Sequence, residues 1–136
     1  MWVQSGAILQ DSMITDGCEV AAGARVERSV LGPGVKVRPG AVVRESVILT
    51  DAVIEAGAVV EHAIIDKKAY IGENARVGAA RPEPAVTMIG KHSRVSPGMV
   101  IEPGVIIGPD MVESDYSDTT VREGAYLQTK REPFEV

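Results

Sequence analysis

SVLGPGVKVRPGAVVRESVI, from Ser29 to Ile48, carries the spacing that organises the whole chain. Its residues Leu31, Val37, Val43 and Ile48 are branched aliphatics separated by six, six and five positions. Stepping back by seventeen gives Ile14, Val20 and Val26. Stepping forward gives Ile48, Ile54 and Val60, then Ile65, Ile71 and Val77. A period of this kind is sought before single elements are assigned, because it decides the architecture.

The positions two before these are as regular: Ser12, Cys18, Ala24; Ser29, Val35, Ala41; Ser46, Ala52, Ala58; Ala63, Ala69, Ala75. Residues two apart on a strand point to one side. Each short strand therefore sends one small and one larger residue inward, and three such strands per turn close a triangle. Gly17, Gly23, Gly34, Gly40 and Gly57 fall beside the corners, where positive φ costs glycine nothing. An α-helix is excluded, since Gly and Pro would interrupt every turn. The expected fold is all-β, a parallel β-helix of hexapeptide repeats with roughly six stacked turns, about 30 Å tall at strand spacing.

The ladder breaks at Arg81, Pro82, Glu83 and Pro84, and resumes at Ile89, Val95, Ile101 and Ile107. This predicts a β-helix over 1–112 with a protruding loop at 78–88. The period is lost in 113–136, which reads as an irregular cap or tail.

Of the 136 residues 45% are hydrophobic but only 4% aromatic, so the core must come from Val, Ile and Ala. A net charge of −5 gives no basic footprint for nucleic acid or an anionic membrane. One cysteine excludes an internal disulfide, and no apolar run reaches membrane length. The expectation is a cytoplasmic protein.

DSMITDGCEV (Asp11 to Val20), SVLGPGVKV (Ser29 to Val37) and AIIDKKAYIG (Ala63 to Gly72) resemble the C-terminal domain of glucose-1-phosphate adenylyltransferases, or ADP-glucose pyrophosphorylases. The ending YLQTKREPFEV (Tyr126 to Val136) is similar to the basic end of some members. The resemblance implies a left-handed helix and a parent nucleotidyltransferase of the glycogen pathway. Catalysis in that family belongs to an N-terminal α/β domain, and this chain has no Gly-rich nucleotide-binding segment. It implies a non-catalytic oligomerisation and regulatory module with no cofactor or metal. Sugar-phosphate or nucleotide effectors of the family bind basic side chains near the C-terminus, which here directs attention to Lys130 and Arg131.

The outward positions between the inward pairs give a further candidate. On one face they are Met13, Val30, Val47 and Ile64, all apolar. A continuous apolar stripe marks a partner surface. The expected partners are further copies, a trimer being favoured, or a nucleotidyltransferase catalytic domain.

One alternative is a stand-alone scaffold subunit of a sugar-nucleotide enzyme. Another is an acyltransferase, since hexapeptide β-helices also serve as acyltransferases with a histidine base, for which His62 and His92 are candidates. Both sit at or near corners, where a solvated turn residue is the commoner role. Two histidines cannot supply the three ligands of a γ-carbonic-anhydrase-type metal site within one chain. Cys18 occupies an inward slot and reads as a small core residue.

Overall fold

The computed structural model describes residues 2–80 and 85–130. Its strands are two or three residues long and wind into three parallel sheets around one core. The first sheet holds β1 (Trp2–Val3), β4 (Glu19–Val20), β7 (Lys36–Val37), β10 (Val53–Ile54), β13 (Tyr70–Ile71) and β16 (Arg94–Val95). The second holds β2 (Ile8–Gln10), β5 (Arg25–Glu27), β8 (Val42–Arg44), β11 (Val59–Glu61), β14 (Arg76–Gly78), β17 (Val100–Ile101) and β19 (Thr120–Val121). The third holds β3 (Met13–Ile14), β6 (Val30–Leu31), β9 (Val47–Ile48), β12 (Ala63–Ile65), β15 (Thr87–Ile89), β18 (Ile106–Ile107) and β20 (Tyr126–Leu127). This is a left-handed β-helix of about seven turns.

Pairing follows the seventeen-residue step. Val20 lies beside Val37, Val26 beside Val43, and Leu31 beside Ile48. The inward residues are sealed off: Val35, Ile48, Ile54, Ile65, Ile71 and Val77 have no exposed surface. Each fully buried aliphatic side chain contributes roughly 1.5–3 kcal/mol before entropy is subtracted. Cys18 is also fully buried, its thiol directed at the Gly32 carbonyl oxygen at 3.0 Å.

The stack starts within the expected 1–112 span, where Val3 and Leu9 stand seventeen before Val20 and Val26 and pair with them. Two boundaries differ from the sequence reading. The inserted segment is shorter than 78–88: Gly78 is the end of β14, and Thr87 and Met88 belong to β15. There the register steps by twenty-four, from Ala63 to Thr87, and the insertion does not shift which side chains face inward on either side of it. The segment after Val112 is not wholly irregular. It makes a 3₁₀ turn (Glu113–Asp115), then β19 and β20 join the second and third sheets at a step of twenty. The longer step hides this last turn from a strict hexad search.

The corner joining the second sheet to the third is held by a stack of hydroxyls. Ser29, Ser46 and Ala63 donate their backbone N–H to the Oγ of Ser12, Ser29 and Ser46, each at 3.1 Å. Those hydroxyls in turn donate to the carbonyls of Gln10, Glu27 and Arg44. Backbone ladders cannot continue around a sharp bend, and the serine side chain supplies the missing acceptor. Further along the same corner Gly78 adopts a φ of +74° where a Cβ would overlap the Glu61 carbonyl oxygen. Only glycine fits that close approach.

Candidate interaction face and corner site

Because the pleat alternates, the residue between each inward pair points outward, and register stacks these residues into columns. On the third sheet the column reads Met13, Val30, Val47, Ile64, Met88, Ile106 and Tyr126. Met13 is 64% exposed and Tyr126 60%, while Val30, Val47, Met88 and Ile106 lie near 40% and Ile64 is half-buried. The sequence pointed to the first four members. The other three sit beyond the inserted segment and align only through steps of twenty-four, eighteen and twenty.

The lower half of this face is concave. A groove of about 570 Å³ is lined by Leu49, Ile64, Met88, Ile106 and Tyr126, with Asp66 and Lys91 among its polar edges. Isolated exposed aliphatics are ordinary on a protein surface, whereas a continuous column with a groove is a candidate contact surface.

The adjoining corner carries two charged columns. In the inner one, Arg44 bridges Glu27 at 3.0 Å and Glu61 at 3.4 Å, and Arg25 reaches Glu27 at 3.1 Å. The Arg44 hydrogen bond, aided by Arg25 and opposed by desolvation, holds the Glu27 carboxyl below its usual range. In the outer column, Arg28, Glu45 and His62 follow one another at successive turns, all with positive φ. Arg28 binds Glu45 at 3.1 Å, and His62 Nδ1 stands 3.6 Å from the other Glu45 oxygen. That nitrogen is buried and has no hydrogen-bond partner among the described residues. The other candidate base, His92, is exposed on the corner joining the third sheet to the first, and its N–H donates to the Lys67 carbonyl.

Lys130 is exposed, and Arg131 lies outside the described residues. Among the described residues no group of His, Cys, Asp or Glu is arranged to hold a metal ion. No described helix is long and apolar enough to cross a membrane.

Stacked six-residue rungs, small-plus-large inward pairs and a columned outer face define a hexapeptide-repeat β-helix. The chain belongs to the GlmU-like, C-terminal hexapeptide family, whose model matches residues 3–89. This supports the broader hexapeptide class and does not single out the ADP-glucose pyrophosphorylases.

Among solved structures the chain is similar to the acetyltransferase domain of PglB from Neisseria gonorrhoeae FA1090, at 16% identity and a TM-score of 0.63. The match covers 93% of this chain and 53% of that one. The same domain in complex with acetyl coenzyme A matches at 16% identity and a TM-score of 0.50, over 91% and 55% of the two chains. A chain from Desulfovibrio desulfuricans G20, whose name assigns it provisionally to the acetyltransferases, matches at 20% identity and a TM-score of 0.58, over 91% and 25%. The chain thus spans about half, or less, of the structures it resembles. No curated protein matches closely enough to count as a relative. Likeness at these identities establishes the fold, and function has to be argued from the site.

Proposed function

We propose that this chain is an assembly module, a β-helix that joins protein subunits through the outer face of its third sheet and performs no chemistry alone. The seven-rung apolar column from Met13 to Tyr126 is the observation that carries this reading. Burying such a column against a partner removes several aliphatic side chains from water at about 25 cal/mol per Å². The favoured partner is a further copy of the chain, and a closed ring of three satisfies all copies at once. The module's parent activity is the nucleotidyl transfer implied by AIIDKKAYIG, with Lys130 and Arg131 as effector contacts.

Light scattering tests the assembly. The wild-type chain should be a trimer or dimer at micromolar concentration, and Val30→Lys with Val47→Lys should give a folded monomer. A wild-type monomer ends the self-assembly claim. An unfolded double variant would show that these side chains belong to the core.

A second reading, transfer of an acyl group, is favoured by the pairing of His62 with Glu45 and by the likeness to acetyltransferase domains. Glu45 would orient the imidazole through Nδ1–H, leaving Nε2 to take a proton from an acceptor amine or hydroxyl as it attacks the thioester carbonyl, and to return that proton to the thiolate that leaves as the C–S bond breaks. A separation of 3.6 Å is long for that bond, as catalytic contacts often are before substrate binds. Acetyl-CoA with a panel of amino sugars, followed by thiol release, separates the two readings. Turnover abolished by His62→Ala establishes acyl transfer. Its absence in an assembled trimer leaves the module.

A further inference from the structure

Among the described residues the first sheet has six strands and the other two have seven each, and the shortfall opens a gap over β16. In the turns below, the residue after each inward one donates its backbone N–H to the next turn. Gln4 donates to Val20 O, Ala21 to Val37 O, Arg38 to Ile54 O and Glu55 to Ile71 O at 2.9 Å, and Gly72 to Val95 O at 2.8 Å. Ser96 is the next member of this series. Among the described residues its N–H meets only the Met99 sulfur, at 3.3 Å, and a thioether is a weak acceptor.

The cause lies in the strand that would cover it. Tyr70 N–H donates to Ser93 O, and Arg94 N–H to Met111 O, so Met111 stands above Ser93. The same offset puts Glu113 above Val95, in an inward slot where an unpaired carboxylate is costly. The chain turns away there into its 3₁₀ turn. Tyr116 packs against the core instead, and its hydroxyl donates to the Arg94 carbonyl at 3.0 Å. A cavity of about 430 Å³ remains, lined by Ser96, Pro97, Met99 and Tyr116 together with the exposed Glu113 and Asp118. Asp118 accepts the Thr119 N–H at 2.6 Å, which orients that carboxylate. No described cation lines the cavity, and neither carboxylate forms an ion pair among the described residues.

We infer that this gap takes one strand of a partner protein, an extended segment carrying a lysine or arginine. A backbone carbonyl of the segment accepts the Ser96 N–H and continues the first sheet, as peptides do at open sheet edges. Its basic side chain lies along Met99 and the Tyr116 ring and reaches Glu113 and Asp118. Charge complementarity selects a basic segment, since an acidic one would meet two unpaired carboxylates on a chain of net charge −5. The gap lies at the corner joining the first sheet to the second, away from the apolar column, so it stands independently of the assembly reading.

The probe is a blocked heptapeptide of alternating threonine and valine with lysine at its centre, titrated into the full chain at low ionic strength and followed by NMR. In the free chain the Ser96 amide should exchange with solvent faster than those of Glu55 and Gly72. Saturating peptide should slow it, and the same peptide with a central glutamate should bind about tenfold more weakly. Glu113→Lys with Asp118→Lys should reverse that preference, with the fold unchanged by circular dichroism. N-acetyl-lysine methylamide, which has the charge but little backbone, should leave Ser96 exchanging as before. Binding indifferent to the peptide's charge or to the reversal overturns the site, and equal protection by the methylamide rules out strand addition. A Ser96 amide already slow in the free chain also ends the proposal. Slowing that grows with chain concentration gives the gap to a second copy, and slowing at every dilution means that the chain closes it alone.

Discussion

The outer faces of the first and third sheets are built on the same core, with the same pleat and nearly the same register, yet they present opposite chemistry. The third shows Met13, Val30, Val47, Ile64, Met88, Ile106 and Tyr126. The first shows Trp2, Glu19, Lys36, Val53, Tyr70 and Arg94. There the polar groups satisfy one another. Arg38 sits between Glu19 at 3.8 Å and Glu55 at 3.5 Å, the Tyr70 hydroxyl donates to Glu55 at 2.9 Å, and the Arg94 guanidinium lies 4.2 Å above the Tyr70 ring. A triangular solenoid has three outward faces available. This chain closes one with its own side chains and leaves another apolar, which is why the third face is the one assigned to a partner.

The largest expected effect probes what the two faces share. Ile54 lies beneath the polar face and Ile65 beneath the apolar one, both fully buried. Replacing either with Asp buries an unpaired carboxylate, costing several kcal/mol and unfolding the middle turns. Thermal melts should show equal intolerance. If Ile65→Asp were tolerated, the third face would be a loosely packed surface, and its exposed column would lose its meaning.

Next comes the acid response of the corner beside the apolar face. Glu27 titrates lower in the folded chain than in the unfolded one, chiefly through its bond to Arg44. The folded state therefore binds fewer protons in the acid range. Glu27 contributes its stability above the ordinary carboxylate range and loses it as pH falls through the lowered folded value. Glu27→Gln should be less stable than wild type at neutral pH, and the gap should close on acidification. A constant gap from neutral pH downward would mean that the Arg44 charge is not what stabilises this corner.

On the polar face, Glu55 sits at a corner, where a side chain without partners matters little. The structure gives it two partners, Tyr70 and Arg38. Glu55→Ala should thus cost about 1 kcal/mol rather than half that, measured by urea unfolding. A neutral result would mean the network is solvated decoration, and the contrast between the faces would weaken.

Inward positions were legible in the sequence because burial forces a strict choice of residue, and strict choice at a fixed period is visible. The four-membered start of the apolar column was legible for the same reason of register. The rest was hidden by changes of step. Met88, Ile106 and Tyr126 fall into line only after the insertion and the longer final turn are counted. Val3 and Leu9 could have been found by subtracting seventeen once more. The pairing of Glu45 with His62 is a seventeen-residue relation too, but it joins unlike residues, so no repeat of residue type advertises it.

The smallest effect gives the sharpest comparison. Lys36 is on the polar face, stacked between Glu19 and Val53. Changing it to Val adds one apolar rung there without touching the core, since Val37 is the inward residue of that strand. Valine also suits a strand. Stability should move by roughly half a kcal/mol or less. If association depended on the number of exposed aliphatics, Lys36→Val would strengthen it as much as Val47→Lys weakens it. If association needs an unbroken column, Lys36→Val should leave the mass by light scattering unchanged, because Glu19 and its partner Arg38 still interrupt the apolar surface beside the new side chain. The column explanation requires this asymmetry. A rise in mass for Lys36→Val would put the sticking surface on apolar content in general and take away the third face's special claim.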